Sequence, residues 1–315
     1  MNLPALSICV PAYNAQRYLA ATLASVRAQT FTDWELIVVE DGTHDGTEDL
    51  VAAFSRSGRQ PVIFLRQEKN QGLPATRNTG IALARGKWIV LLDNDDIWTP
   101  DHLSSLLACA EMHPAADLVH SGSVLFDSET GRELGVRAPS PSDTATFPRS
   151  LFLGTYCIQP SSAMLRKSLW TRAGGFNPAF RYAEDREMWM RCAQAGAIFA
   201  YSGRCTCRYR KHATSLSTNA APMALACALI FDQAAAWEII PRHLRLRHAA
   251  EAWVSAGRLV LRSDPSTARS YFARARHYRP TARVLAYGAA ALGLDLLRRL
   301  RPARSDTPVP AVAHD

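Results

Sequence analysis

The chain has 315 residues, of which 48% are hydrophobic and 20% are charged, and its net charge is +8. This length allows one large hydrophobic core, or a core followed by a smaller helical unit, and the composition is that of a soluble globular protein. No stretch reaches the roughly 20 apolar residues of a membrane span, and the first residues lack the features of a secretory signal, so a cytoplasmic location is expected.

Most of the net positive charge lies near the C-terminus. Residues 221–315 contain 14 Arg, no Lys and 7 acidic residues, a net charge of +7. No nucleic-acid-binding signature accompanies these arginines, so an anionic membrane surface is the favoured partner and nucleic acid is not expected. Arginine-rich helix faces that are only solvated are the alternative.

The cysteines do not indicate a zinc site. Seven of them are scattered along the chain, and Cys205 and Cys207 have no second pair at metal-ligand spacing. Reduced thiols are therefore expected.

Four short apolar runs predict strands that are buried on both faces. They are residues 6–13, 34–41, 62–67 and 88–95. Helical segments separate them, and this alternating order predicts an α/β fold with a largely parallel sheet. In such sheets ligands bind beyond the carboxyl ends of the strands. Polar clusters follow three of these strands, at residues 11–14, 40–45 and 93–96.

The pattern becomes mixed after residue 100. Residues 117–127 predict a strand, residues 134–147 a Pro/Ser/Thr-rich loop, and residues 158–176 a strand entering a helix. A further helix begins near Glu184 and Asp185, two acids that the helix dipole stabilises at an N-terminus.

The last third of the chain predicts helices separated by prolines. They cover about residues 222–240, 242–262, 265–279 and 281–300. One stretch, residues 253–280, resembles a single tetratricopeptide repeat, with an ordinary helical hairpin as the alternative. The last helix is apolar and then basic, which suits a membrane interface. Residues 301–315 are predicted to be disordered.

Three aspartates, Asp93, Asp95 and Asp96, lie within four positions directly after an apolar strand. Carboxylates gathered at a strand end suit a hard divalent cation such as magnesium or manganese, which usually also binds the phosphates of a substrate. Asp96 is instead interpreted as a cap or turn residue for the helix that starts near Pro100.

Five segments of the sequence follow one another in order: VPAYNAQRYL, VVEDGTHDGT, NQGLPATRNTGIALARGKWIVLLDNDD, GGFNPAF with AEDREMWMR, and YRKHATSLS. With these motifs in this order, the chain resembles glycosyltransferase family 2, the inverting nucleotide-sugar transferases with the GT-A fold. The resemblance covers about residues 5–218. It implies a GT-A domain over residues 1–220, followed by a helical region over residues 221–300.

The resemblance also implies which residues bind the nucleotide sugar. Pro11, Ala12 and Tyr13 would line the nucleotide pocket. Asp41 would accept a hydrogen bond from the base, which favours uracil or thymine. The remaining members of this set are Arg77, Asp93, Asn94 and Glu184, of which Glu184 is as well interpreted as an orienting or capping residue.

The same resemblance divides the acids between two tasks. Asp95, with Asp93 and His212, would hold Mg²⁺ or Mn²⁺ at the donor diphosphate, where the ion stabilises the charge of the leaving group. Asp185 would be the catalytic base that takes the proton of the acceptor hydroxyl, with inversion at the anomeric carbon.

Other interpretations of these residues remain open. Asp41 and Asp45 are also typical turn residues, and His212 is also interpretable as part of a basic loop. Pro74 and Asn94 depart from the commonest family pattern, and Pro74 is the one expected to shift the helix that carries Arg77.

The sequence therefore predicts a metal-dependent transferase that moves a sugar from a UDP- or dTDP-linked donor to a glycan or lipid-linked hydroxyl. Assembly of bacterial surface polysaccharide or lipopolysaccharide is the expected setting, with peripheral contact at the inner face of the cell membrane. A sugar nucleotidyltransferase and a catalytically silent scaffold are the alternatives.

Overall fold

The computed structural model describes residues 3–300, so the predicted disordered tail lies outside the described residues. The described chain forms two compact units. The first comprises the residues up to Asn219 together with Ala236–Ile240. The second comprises Ala220–Ala235 and the described residues from Pro241 onward.

The first unit is built on one sheet of nine strands with helices around it. The strands are β1 Leu6–Ala12, β2 Trp34–Glu40, β3 Val62–Arg66, β4 Trp88–Leu91, β5 Ile97–Trp98, β6 Leu118–Asp127, β7 Glu133–Arg137, β8 Ala163–Arg166 and β9 Phe199–Lys211. The helices are α1 Gln16–Arg27, α2 Thr47–Arg56, α3 Leu73–Leu83, α4 His102–Met112, α5 Pro141–Ala145, α6 Arg149–Leu153, α7 Lys167–Ala173 and α8 Glu184–Gln194.

The strand order is β3-β2-β1-β4-β8-β6-β9-β5, with β7 paired to β6. The first four strands are parallel, as their alternation with helices predicts. Strand β8 then joins β4 in the antiparallel direction, and β6 pairs with β9 in parallel. The fold is α/β, with a parallel half that carries the predicted crevice and a mixed half beside it.

Strands β1 and β2 are buried at every residue, which explains why their sequences are almost continuously apolar. The two charged exceptions, Glu35 and Glu40, have partners close by. Arg66 Nε donates to Glu40 Oε2 at 2.5 Å. Glu35 accepts a hydrogen bond of 2.6 Å from the Ser7 hydroxyl and one of 2.7 Å from the Arg85 backbone N–H. A buried acid is tolerated there because its lone pairs are occupied.

The crevice opens where β1 and β4 separate. The two strands pair only as far as Cys9 and Leu91. Cys9 O accepts the Leu92 N–H, so Pro11, two residues on, faces the same side, where β4 has ended. Its missing N–H therefore costs no ladder hydrogen bond. Strand β1 has β2 on one side and β4 on the other, and the crevice beyond the end of such a strand is where α/β sheets bind ligands.

Three local predictions are wrong. Residues 134–147 are not a loop, because β7 and α5 fall within them; β7 is exposed at every residue and so gave no apolar signal, and α5 begins with a capping box between Ser140 and Asp143. The predicted helix over 222–240 ends at Ala234. The cap interpretation of Asp96 is the third, because α4 begins at His102 with Asp101 before it. Its turn interpretation agrees with the structure, since the Asp96 N–H donates to the Asp93 carbonyl at 3.2 Å.

The second unit contains four helices. They are α9 Ala220–Ala234, α10 Arg242–Val260, α11 Pro265–Tyr278 and α12 Ala282–Leu300. Helices α10 and α11 pack closely at Gly257, where a Cβ would lie 2.6 Å from the ring of Phe272. Trp253, Ala268 and Phe272 are buried in the core of this unit, as both interpretations of the hairpin require. No helix among the described residues has the length and apolar character needed to cross a membrane.

Candidate active site

The loop after β4 carries the aspartates and is fixed by hydrogen bonds from other elements. The Asp93 backbone N–H donates to the Ser161 hydroxyl at 3.0 Å. The Thr22 hydroxyl, on α1, lies 3.0 Å from the carbonyl of Asn94 and 2.8 Å from that of Asp96. Because both carbonyls face α1, the loop has little freedom to rearrange.

Arg77 connects two of the predicted acids. Its side chain is 1% exposed, and it donates to Asp93 Oδ1 at 2.6 Å and to Glu184 Oε1 through the other terminal nitrogen. Burial lowers the pKa of Arg77, but the two carboxylates more than offset this and keep the pKa above its ordinary value. We call these three residues the Arg77 bridge. It joins the end of β4 to the start of α8.

Pro74 does not disturb this arrangement. It lies in the first turn of α3, where a helix N–H has no intrahelical partner, so a proline is accommodated. The expectation that Pro74 shifts the helix carrying Arg77 therefore has no basis in the local backbone.

The acids at the start of α8 are held in an unusual environment. Ala183, directly before them, has a left-handed backbone with φ of 53°, a conformation that costs an alanine about 1–2 kcal/mol. Burial, opposed by Arg77, raises the pKa of Glu184 to about 7. Burial, opposed again by Arg77, also raises the pKa of Asp185, whose Oδ1 accepts the Arg186 N–H at 2.7 Å. Raised carboxyl pKa values are typical of sites that exchange protons.

Asp95 is paired with His212, the histidine of the segment YRKHATSLS. His212 Nε2 lies 2.8 Å from Asp95 Oδ2, and its other ring nitrogen lies 2.8 Å from the Thr214 hydroxyl. The ring of Tyr18 packs beside the imidazole, with 5.0 Å between ring centres. Two residues that are 117 positions apart in the sequence therefore meet at the crevice.

Asp96 is an interior residue of the site. It is 0% exposed, and its Oδ1 accepts the Arg210 N–H at 2.9 Å. Burial and the neighbouring Asp95 and Asp93 raise its pKa well above the ordinary value.

The predicted nucleotide-binding residues lie at the carboxyl ends of β1 and β2. Pro11 and Ala12 are buried, whereas Tyr13 is half exposed. The Asn94 amide donates to the Pro11 carbonyl at 3.1 Å. Asp41 accepts backbone hydrogen bonds at 2.7 and 2.9 Å from Gln71 and Gly72. Asp41 therefore also shapes the loop that leads to α3.

Asp45 behaves as its alternative interpretation predicts. Its carboxylate accepts the N–H of Gln16 at 3.0 Å and that of Thr47 at 3.3 Å, so it caps the starts of α1 and α2. These contacts give Asp45 a structural role.

The sequence analysis did not single out several residues that position the side chains of the site. Thr22, Ser161 and Tyr18 are single polar or aromatic residues outside any charged cluster, and each acts through a residue far away in sequence. Tyr18 stands in the motif segment VPAYNAQRYL, and Asn78 stands in NQGLPATRNTGIALARGKWIVLLDNDD. The side-chain oxygen of Asn78 accepts the N–H of Phe176 at 2.8 Å, and its NH₂ donates to the carbonyl of the same residue at 2.7 Å.

The residues fit a divalent cation that shares its coordination with substrate. Among residues 3–300, no group of three or more His, Cys, Asp or Glu is arranged to hold a metal ion by protein ligands alone. However, Asp95 Oδ2 lies 2.8 Å from His212 Nε2, and Asp93 is two residues away in the same loop. Ligands this close would occupy neighbouring positions of an ion that keeps its other positions for diphosphate oxygens and water.

Comparison with known proteins gives one family and one fold. The family model described as glycosyl transferase family 2 matches residues 7–172. The Escherichia coli protein WfgD, named as a UDP-Glc:alpha-D-GlcNAc-diphosphoundecaprenol beta-1,3-glucosyltransferase, is 26% identical over 221 residues, which cover 68% of this chain and 80% of that one.

Two solved structures share the architecture. S. aureus TarS 1–349 in complex with UDP-GlcNAc has a TM-score of 0.65 at 18% identity, with 95% of this chain and 93% of that one covered. Mannosyltransferase PcManGT from Pyrobaculum calidifontis, in complex with GDP-Man and Mn²⁺, has a TM-score of 0.59 at 18% identity, with 95% and 89% covered. These likenesses show the GT-A type of fold.

Proposed function

Because this chain belongs to glycosyltransferase family 2, we propose that it transfers a sugar from a nucleoside diphosphate donor to a hydroxyl of a glycan or lipid-linked acceptor. The family resemblance of its motifs is confirmed, and the protein is a glycosyltransferase. The observation that carries the finer proposal is the Arg77 bridge. Through this bridge, Arg77 holds Asp93, which is expected to bind the donor, next to the start of α8, the helix that carries Asp185.

On the donor side, Asp95, with Asp93 and His212, would hold a Mg²⁺ or Mn²⁺ ion. When bound, such an ion neutralises the charge that develops on a departing diphosphate and is worth several kcal/mol. Asp95 presents a carboxylate oxygen, the type of ligand that magnesium and manganese prefer, and His212 presents a ring nitrogen beside it. The manganese in the PcManGT structure supports this assignment.

On the acceptor side, Asp185 would act as the catalytic base. Its pKa is raised by burial, so its carboxylate holds a proton more strongly than an exposed aspartate does. A base of this kind takes the acceptor proton as the hydroxyl attacks, typically for about 10²- to 10⁴-fold in rate. If the activated hydroxyl attacks from the side opposite the leaving diphosphate, the anomeric carbon is inverted.

The nucleotide would lie across the carboxyl ends of β1 and β2. Pro11, Ala12 and Tyr13 would form its floor, Asn94 would fix the Pro11 carbonyl, and Asp41 would accept an N–H of the base. A carboxylate acceptor suits the N–H of uracil or thymine, so a UDP- or dTDP-sugar is favoured. The donor in the name of WfgD and the ligand in the TarS structure support a uridine nucleotide.

The biological setting that we propose is bacterial surface polysaccharide or lipopolysaccharide assembly. WfgD, by its name, acts on a diphosphoundecaprenol-linked acceptor, which supports an acceptor at a membrane. We propose a cytoplasmic catalytic unit, about residues 1–220, and peripheral contact with the inner face of the membrane through residues 221–300.

Calorimetric titration with UDP, dTDP and GDP, each with and without Mn²⁺, tests the donor proposal. Binding of one pyrimidine diphosphate that depends on Mn²⁺ is the expected result. Metal-independent binding would overturn the cation assignment, and preference for GDP would overturn the assignment of the base.

A further inference from the structure

Helix α12 has one buried stripe. Val284, Ala291 and Asp295 are buried and recur at intervals of seven and four residues, so they share one face of the helix. This face packs into the second unit together with Tyr287, whose ring stacks on Phe272 with 5.2 Å between ring centres. The opposite face of α12 therefore points away from the core of this unit.

That opposite face is apolar although it is exposed. Five leucines on it have large exposed fractions: Leu285 49%, Leu292 42%, Leu296 51%, Leu297 61% and Leu300 78%. At about 100° per residue they lie within roughly 140° of each other around the helix axis, and the other residues in this sector are Ala282, Ala286, Ala289 and Gly293. We call the five leucines the outer leucine face. A continuous apolar surface of this kind marks an interaction site.

The arginines of α12 do not interrupt this face. Arg298 donates to the carbonyls of Ser263 at 2.8 Å and Arg262 at 2.9 Å, and Arg299 donates to Asp295 at 3.2 Å. Both are directed back toward their own unit. Arg283 stands at the edge of the apolar sector, beside the ring of Tyr287.

We propose that the outer leucine face docks α12 in the interfacial region of an anionic membrane, parallel to its surface. None of the described helices is long and apolar enough to cross a bilayer, but a helix with one apolar face binds in the headgroup region. Arg283, at the edge of the apolar sector, would meet the anionic headgroups there. The net charge of +7 in residues 221–315, all of it from arginine, matches anionic lipid headgroups. This inference specifies the surface for the proposed peripheral contact and does not depend on sugar transfer.

Flotation of the full chain with lipid vesicles tests the proposal. The probes are vesicles of phosphatidylcholine alone and of phosphatidylcholine with phosphatidylglycerol. The wild-type chain is expected to float with the anionic vesicles and to dissociate as salt is raised. The triple variant Leu285→Gln, Leu292→Gln and Leu296→Gln is expected to lose at least about tenfold in partitioning, because three apolar side chains no longer insert.

A matched pair of single variants separates the face from general surface hydrophobicity. Leu285 and Leu259 are exposed to 49% and 47%, and Leu259 lies on α10. Leu285→Gln should weaken vesicle binding, whereas Leu259→Gln should not. Because both leucines are exposed, both variants should fold, and their helical circular dichroism and thermal midpoints check this.

Three results would overturn the proposal. The first is absence of wild-type binding to anionic vesicles, and the second is equal weakening by Leu285→Gln and Leu259→Gln. The third is a wild-type dimer in sedimentation velocity that the triple variant converts to monomer without any vesicle binding, which would make the face a contact between two copies of the chain. None of these results depends on sugar transfer, so each is distinguishable from failure of the proposed activity.

Discussion

His212 Nε2 lies 2.8 Å from Asp95 Oδ2, at the edge of the crevice where β1 and β4 separate. Each of the two residues also has a second polar contact that holds it in place. Arg210 donates to the Asp95 carbonyl at 2.6 Å, and Thr214 lies within hydrogen-bonding distance of the second imidazole nitrogen. An imidazole and a carboxylate held in this way form a preorganised pair for a cation, because little ordering remains to be done when the ion binds.

We predict that His212→Ala weakens Mn²⁺-dependent binding of UDP by at least about tenfold, because one donor and its orienting partner are lost. Titration calorimetry at several Mn²⁺ concentrations measures this. His113→Ala serves as the matched control, since His113 is exposed and lies after α4 in the same unit. Unchanged Mn²⁺ dependence in His212→Ala would remove His212 from the cation site.

The parallel half of the fold was predictable from the sequence because its strands are buried throughout. Strand β2 is buried at every residue and is apolar apart from its two paired glutamates, and the helices between such strands define the parallel order. Strand β7 is the opposite case. All five of its residues are exposed, so its pairing with β6 depends on backbone hydrogen bonds that leave no pattern of side chains.

The acids of the site were predictable, but their connections were not. Asp93, Asp95 and Asp185 belong to segments that the sequence displays as clusters of charge. The Arg77 bridge instead joins residues 16 and 107 positions apart, and it exists because α3 and the start of α8 converge on the end of β4. Thr22 and Ser161 are inconspicuous for the same reason, since only the tertiary fold places them at the aspartate loop.

We predict that Arg77→Met destabilises the protein by about 3–5 kcal/mol. The substitution leaves Asp93 and Glu184 in a buried site without their cation, and an uncompensated buried charge is costly. Adding Glu184→Gln should restore part of this loss, because one of the two unpaired charges is removed. Denaturant and thermal unfolding measure both effects.

The control for Arg77 is an exposed ion pair in the same unit. Arg17 and Glu129 lie 2.8 Å apart with side chains 65% and 69% exposed. Arg17→Met should change the free energy of unfolding by less than about 1 kcal/mol, as is usual for surface pairs. Equal effects of Arg17→Met and Arg77→Met would mean that the bridge has no special role in stability.

We predict that Asp185→Asn lowers kcat by about 10²- to 10⁴-fold while binding of the nucleotide diphosphate is retained. The amide keeps the shape of the side chain but does not accept a proton at neutral pH. Turnover assays and calorimetry on the same preparation measure the two quantities. Asp49→Asn makes the same chemical change on the exposed surface of α2 and should keep wild-type turnover. If Asp185→Asn abolishes binding as well, Asp185 supports the donor site and is not the base.

Two buried histidines predict loss of stability in mild acid. Burial lowers the pKa of His102 from its ordinary 6.5 to about 3 and that of His120 to about 4. Between pH 6.5 and 4 the unfolded chain binds protons at these positions and the folded chain does not. The free energy of unfolding therefore falls as the pH falls, by up to about 1.4 kcal/mol per pH unit for each histidine. The stability is present above pH 6.5 and is lost through this range.

The buried acids of the site act in the opposite direction over part of the same range. The pKa of Glu184 is raised to about 7, so the folded state binds protons there that the unfolded state releases. The slope of wild-type stability against pH is therefore a sum of opposing effects, and only the difference between wild type and a histidine variant isolates one histidine. We predict that His120→Gln makes the stability fall less steeply between pH 6.5 and 4 than it does in wild type.

A second substitution separates proton binding from simple loss of packing. The Tyr156 hydroxyl lies 2.7 Å from His120 Nε2. Tyr156→Phe should lower stability at every pH, because a buried hydrogen bond is lost, while the steepness stays close to that of wild type because His120 remains buried. Urea unfolding at half-unit pH steps measures both curves. A His120→Gln curve parallel to that of wild type would show that His120 does not contribute to the acid sensitivity.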